Sequence, residues 1–451
     1  MSWLHDKTTT MLDRIHEVKR QNAFPFFRPF ENFGPRVKVG SGSYINFTSN
    51  DYLGLSQDPR LIRAANRGTT KYGTGLGSAR PQATSVRHDE LERRLAGWLR
   101  KQACAVYTTG YQSLVGTLAS FLDNDTTVIL DKLSHASIID GVLLAQGMHP
   151  DLEVRWFGHN KPKSLEKALT TSDHARKLVV VEGLYSVDGD LAPLADFVDL
   201  CKKHDAAIMV DDAHGLGTLG ATGRGVGELH GVLDDIDLLV GTFSKSFGTV
   251  GGFVVADQPL IDFMKLTARP FMFSASLPLA QVEAALAALD IIERDPGLRR
   301  RLDDNTAYFR SGLLELGVDL GESTTHITPI MIRDEMQTMK AAAHLFHGAG
   351  VIMMPFVHPG VPQGTERLRC NVTAAHTQAQ MGHTLEAVAR VGAGLGFLPA
   401  SASGRGSTLQ KARWLLEHKI EGARNAGAGY VASELLDAGS KARAWTRDFM
   451  S

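Results

Sequence analysis

Between residues 104 and 257, seven short runs rich in β-branched residues follow one another: CAVYT, TVILD, VRWFG, KLVVVEG, AAIMVDD, DLLVGTF and GGFVVAD. Segments with apolar residues at helical spacing lie between them, among them SLVGTLASFL, SIIDGVLLAQ, LEKALTT and LADFVDLCKKH. A chain that alternates strand and helix in this way has few folds open to it. The pattern predicts an α/β fold with an open, mostly parallel sheet covered by helices on both faces. In such sheets ligands gather at the carboxyl ends of the strands, so polar residues at strand ends carry more weight than those elsewhere.

The alternation stops after the seventh run. A helical stretch over 278–316, THITPIMIRD, a helix over 337–348, VIMMPF, RLRCNVT and a helix over 377–395 predict a second, smaller α+β unit. The small-polar run SASGRGS, residues 401–407, reads as a linker. Two helical candidates, LQKARWLLEHKI and YVASELLDAGSKARAWTRDF, follow it. The division expected is an N-terminal segment 1–58, a large domain 59–300, a small domain 301–400 and an extension 401–451. The extension is expected to pack back onto the protein; docking of a carrier protein or a membrane surface is the second reading. Charges are balanced, 48 basic against 49 acidic, so no bias toward nucleic acid or anionic membrane follows. No apolar run is long enough for a transmembrane helix, and the polar N-terminus lacks a signal-peptide core. Cys104, Cys201 and Cys370 are few and scattered, which predicts reduced thiols in a cytoplasmic protein, without disulfides or a metal cluster.

Two strand ends carry the chemistry. In VGTFSKSFGTVGG, residues 240–252, Lys245 follows an apolar strand in a loop dense in Ser, Thr and Gly. Lysine forms Schiff bases with carbonyl cofactors, and Thr242 and Ser244 offer hydroxyls to a phosphate beside it. Read alone, the loop is equally a surface lysine on a Gly/Ser turn. In AAIMVDDAHGLGTLG, residues 206–220, Asp211 ends another apolar strand and His214 stands three residues later. A carboxylate there pairs with a protonated ring nitrogen, and His214 can bond a phenolic oxygen; the plainer reading is a helix-capping Asp beside a buried His. An acid-ended strand followed about 34 residues on by a lysine-ended one is harder to dismiss. Gly110 and Tyr111, at the strand-to-helix turn of TTGYQSLVG, can present backbone N–H groups to a phosphate. His135, in DKLSHASIIDG, is either a helix-start residue or an imidazole stacked on a ring. Ser186, in EGLYSVDGD, is either turn chemistry or a contact at a further strand end.

The set TGYQS, DKLSHAS, EGLYSVDGD, VDDAHGLGTLG, GRG and GTFSKSFGTVGG resembles the α-oxoamine synthases, with SNDYLGL, RPFMFSASLP and RLRCNVTAAHT matching as well. The resemblance covers roughly residues 45–398 in unbroken order. It implies a fold-type I, aspartate aminotransferase-like transferase dependent on pyridoxal 5'-phosphate, homodimeric, with its site at the subunit interface. It also implies the reaction, a decarboxylative condensation of an amino acid with an acyl thioester, on CoA or on a carrier protein, to an α-amino ketone. By resemblance Lys245 carries the cofactor as a Schiff base and removes the α-proton, and Asp211 meets the pyridinium nitrogen. His214 meets the phenolic oxygen with Ser186 beside it, and His135 stacks on the ring. Gly110, Tyr111 and Thr242 approach the phosphate, and Ser274 reaches the phosphate of the neighbouring subunit. Arg369 grips the substrate carboxylate with Asn50 near it.

GTFSKSFGTVGGFVVAD, RPFMFSASLP, GHNKPKSLEKAL and the cysteine of LRCNV resemble bacterial serine palmitoyltransferase most. Three features depart from it. Val357-His358-Pro359 stands where those enzymes carry Arg-Pro-Pro, Ala83-Thr84 replaces Gly-Thr or Gly-Tyr ahead of His88, and the tail lies beyond the family core. The first removes a positive charge and keeps other members open, 8-amino-7-oxononanoate synthase, 2-amino-3-ketobutyrate CoA ligase or a natural-product C-acyltransferase. An aminotransferase lacks the combination of DDAH, TFSKS and RLR…TAAHT. A silent partner subunit is expected to have lost the lysine that this chain keeps. GTGLGS, residues 73–78, follows no strand and is set aside as a dinucleotide site.

Overall fold

The computed structural model describes residues 3–20 and 24–399. The linker and helices expected within 401–451 lie outside the described residues. Seven strands form the main sheet, in the order Ala103–Tyr107, Gly252–Ala256, Leu238–Thr242, Ala207–Asp211, Arg176–Glu182, Thr126–Asp131 and Glu153–Phe157. Gly252–Ala256 runs antiparallel to both neighbours, and the remaining pairs are parallel.

The strands inside the sheet are mostly apolar because both faces are covered, while the edge strand Glu153–Phe157 is only partly buried. Val179, Val181, Ile208, Val210, Leu239 and Val255 point into one core, while Leu178, Val180, Met209, Leu238, Val240 and Val254 point into the other. The parallel strands run the same way, so their last residues share one edge of the sheet. Asp131, Glu182, Asp211 and Thr242 therefore stand side by side at the carboxyl edge.

A separate core belongs to the chain after the main sheet. The strands Ile327–Met331, Arg367–Asn371 and Met354–Phe356 form an antiparallel sheet with Arg367–Asn371 in the middle. Ile45 and Phe47 join this core from the N-terminal side, where Gly42–Asn46 pairs with Arg36–Val39 and, in parallel, with Val351–Ile352. The helical stretch expected over 278–316 is two helices, Leu279–Arg294 and Pro296–Glu315. Pro296 cannot donate to the preceding turn, and Asp295 caps the new helix by accepting from the Gly297 N–H at 3.0 Å. No described helix is long and apolar enough to cross a membrane.

Candidate active site

A cavity of ≈ 260 Å³ opens at the carboxyl edge of the main sheet, and eight of the twelve residues singled out in the sequence line it. Gly110, Tyr111, His135 and His214 come from turns after strands, while Asp211, Thr242, Ser244 and Lys245 come from adjoining strand ends. Burial pushes the Lys245 amine down to about 8, against the pull of Asp211 and Glu182. A lysine so shifted remains mostly protonated at pH 7 but holds far more free base than an ordinary lysine, which favours a nucleophile or a base.

The helix Gly110–Phe121 starts at this cavity. Thr109 caps it, its side chain accepting from Gln112 N–H at 3.1 Å, so the earlier N–H groups stay open toward the cavity. The backbone here is tightly packed. A Cβ at Gly252 would meet Gly110 at 2.5 Å, so the two glycines let strand and turn approach. Thr242 donates to the Gly251 carbonyl at 2.9 Å and lies 2.8 Å from the Ser244 hydroxyl.

His135 is the helix-start residue of the plainer reading and also borders the cavity. It is the N-cap of Ala136–Met148, its Nδ1 accepting from Ser137 N–H at 3.2 Å, and its ring lines the cavity. Burial lowers its pKa, opposed by Asp211. His214 is buried and held far below the usual imidazole range by that burial and by Lys245 and Arg369, so it is neutral. Asp211 accepts from the Ala213 N–H at 3.1 Å, which orients its carboxylate at the strand end.

Four predicted residues stand outside the cavity, and three of them meet one another. Arg369 donates from Nη2 to Asn50 Oδ1 at 2.5 Å, from Nη1 to the Ser186 carbonyl at 3.0 Å and from Nε to Asn371 Oδ1 at 3.1 Å. Its guanidinium lies 5.4 Å from the centroid of Phe356. Ser274 lies apart, with Gln112 Nε2 3.4 Å from its hydroxyl. The departing triplet begins directly after Phe356, and His358 and Pro359 are exposed.

Three residues went unremarked in the sequence. Glu182 lines the cavity, paired in register with Asp211, and burial and Asp211 hold its carboxyl well above the usual range. It ends an apolar strand just as Asp211 does, so the same signal was available. Asn371 shares a face with Arg369 two residues earlier, and the period of a strand would have paired them. Tyr52, fully buried, places its hydroxyl 2.6 Å from His214 Nδ1, a contact across 162 residues that no local pattern announces.

An amine at one strand end, acids at the next two and an open helix start across the cavity describe a fold-type I pyridoxal phosphate transferase, and the chain belongs to the aminotransferase class I and II family, which it matches over residues 43–388. Within that family it is an α-oxoamine synthase. It is 37% identical over 369 residues to an 8-amino-7-oxononanoate synthase of Petrotoga mobilis, spanning 81% of this chain and 92% of that one. It is 39% identical to 8-amino-7-oxononanoate synthase 1 of Bacillus velezensis, spanning 79% and 90%. Among solved structures, serine palmitoyltransferase from S. paucimobilis with a bound PLP–myriocin aldimine superimposes with a TM-score of 0.83 at 33% identity, covering 88% of this chain and 100% of that one.

Proposed function

We propose that this chain joins the α-carbon of an amino acid to the acyl group of a thioester, releasing the thiol and carbon dioxide and leaving an α-amino ketone, with pyridoxal 5'-phosphate as cofactor. The observation that carries this reading is the buried, depressed amine of Lys245 lining one cavity with Asp211 and with a helix start whose Gly110 and Tyr111 N–H groups the Thr109 cap leaves open. The residues present fit the cofactor: an amine for its aldehyde, backbone N–H groups of Gly110 and Tyr111 with Thr242 and Ser244 for its phosphate, and Asp211 for its ring nitrogen. When bound, pyridoxal phosphate supplies an aldehyde that bonds amines and a ring that withdraws electrons from the amino acid's α-carbon.

Each protein group then has a defined task. Lys245 would take the α-proton on Nζ, a task that its lowered pKa favours. Asp211 would serve as the hydrogen-bond acceptor for the ring nitrogen, and His135 would pack against the ring. His214, with Ser186 nearby, serves the phenolic oxygen. Arg369 receives the amino-acid carboxylate with two parallel N–H donors, and Asn50 and Asn371 fix the fork.

For the particular substrates, the curated relatives support the 8-amino-7-oxononanoate synthase reading over the serine palmitoyltransferase one. The loss of the Arg-Pro-Pro triplet at 357–359 points the same way. The serine palmitoyltransferase reading keeps its support from the solved structure. We further infer a cytoplasmic homodimer; the exposed apolar side chains of Tyr111, Val250 and Phe273 support the dimer. Visible-light titration of the holoprotein with alanine, glycine and serine identifies the amino acid, and serine alone shifting the spectrum would return the assignment to a palmitoyltransferase. Light scattering of the purified protein tests the dimer.

A further inference from the structure

Tyr52 stands between the two ends of the site. Its hydroxyl lies 2.6 Å from His214 Nδ1 and 3.3 Å from Asn50 Oδ1. A phenol has one proton to give, so the two acceptors compete for it. Asn50 Oδ1 already receives Arg369 Nη2 at 2.5 Å and Asn371 Nδ2 at 2.9 Å, and an amide oxygen has two lone pairs. The orientation of that oxygen is fixed by its neighbours. Asn371 accepts from Arg369 Nε through Oδ1 and donates from Nδ2 to the Ser49 carbonyl at 3.1 Å, so neither amide can turn over without losing bonds. The phenolic proton is left with His214 as its acceptor.

We propose that Tyr52 is a positioning residue that holds His214 in the tautomer with its proton on Nε2, and that Arg369 sustains this by occupying the Asn50 carbonyl. The ring is neutral, since burial and the nearby cations keep it from protonating, so it has a tautomer to be fixed. Burial likewise keeps the Tyr52 phenol protonated. Tyr52 itself is immobilised, fully buried and meeting His326 edge-on at 4.2 Å between centroids. If the cavity proposed above is the reacting site, His214 offers it an N–H donor, and the choice of donor rather than acceptor is made 319 residues away from Arg369 in sequence, at Asn50. Loss of Arg369 from Asn50 would free a lone pair there and relax the same constraint.

The test is ¹⁵N NMR of the full chain labelled at histidine nitrogen, with and without pyridoxal phosphate, the His214 signals being assigned by their loss in His214→Gln. Wild type is expected to show an unprotonated Nδ1 and a protonated Nε2. In Tyr52→Phe both nitrogens are expected to move to the averaged positions of mixed tautomers, and in Arg369→Met to move part of the way. A protonated Nδ1 in wild type overturns the proposal, as does a Tyr52→Phe spectrum with the wild-type pattern. If Tyr52→Phe does not fold, wild type and Arg369→Met decide, and an unchanged pattern in the latter removes Arg369 from the account. A protein that fails to take up pyridoxal phosphate would defeat the functional reading and leave this tautomer measurement standing.

Discussion

The end of the site that carries Lys245 and the end that carries Arg369 are built in different ways. Lys245, Asp211 and Glu182 descend from neighbouring parallel strands of one sheet, whose two apolar faces bury these strands and hold the edge rigid. Arg369 comes from an antiparallel strand with its own smaller core, and its partners Asn50 and Ser186 arrive from the N-terminal segment and from a turn of the main sheet. The first end is a product of local alternation and can be rigid before any ligand comes. The second is an assembly of three distant pieces, held by hydrogen bonds to a single guanidinium. Chemistry that must not shift sits on the sheet, and recognition sits where separate pieces meet.

This contrast can be broken most sharply at Lys245. Lys245→Ala is expected to lower kcat by at least about 10³-fold, since it removes both nucleophile and base, with little change in the fold seen by circular dichroism. Retained turnover would show that the strand-edge amine is not the reacting group. At the other end, Arg369→Lys keeps the charge and loses the fork. The expected cost is about 1.5–3 kcal/mol, read as a KM for the amino acid raised roughly 10- to 100-fold with kcat changed much less. An effect of equal size on kcat alone would place Arg369 with the chemistry instead of with recognition.

Stability against pH sharpens the comparison further. Lys245 is pushed from 10.5 down to about 8 in the folded protein. Below pH 8 folded and unfolded chains both hold the proton, and the fold bears the full cost of a buried ammonium. Between about 8 and 10.5 the unfolded chain keeps a proton that the folded chain has released, so stability rises with pH. Without cofactor, Lys245→Met should therefore be the more stable protein at pH 7, by a margin that shrinks as the pH approaches 10.5; urea titrations across that range measure it. The smallest effects concern the helix caps. Thr109→Ala and Thr377→Ala each remove a cap, the latter part of a capping box, at about 1 kcal/mol of stability. Only the first should also weaken pyridoxal phosphate binding, because only that helix starts at the cavity.

The two ends also differ in how far the sequence discloses them. Hydrophobic runs ending in Asp or followed by Lys exposed the sheet and its edge, because burial on both faces writes itself as near-continuous apolar strands. Glu182 carried the same mark and was passed over. The break between Arg294 and Pro296 was likewise readable from the proline. Arg369 and Asn50 came together only through resemblance, since no spacing rule links residues 319 apart, and Tyr52 was invisible because its partner, His214, is fixed by tertiary packing. Ser186 shows the limit from the other side: its place near the site came from the motif, and it is the backbone carbonyl, not the hydroxyl, that Arg369 holds.

The central claim rests on one covalent attachment. Incubation with pyridoxal 5'-phosphate, reduction with borohydride and peptide mapping should place a single pyridoxyl group on Lys245, within VGTFSKSFGTVGG, and Lys245→Ala should abolish it. A colourless protein that takes no label there, or a label on another lysine with Lys245 untouched, would contradict the account.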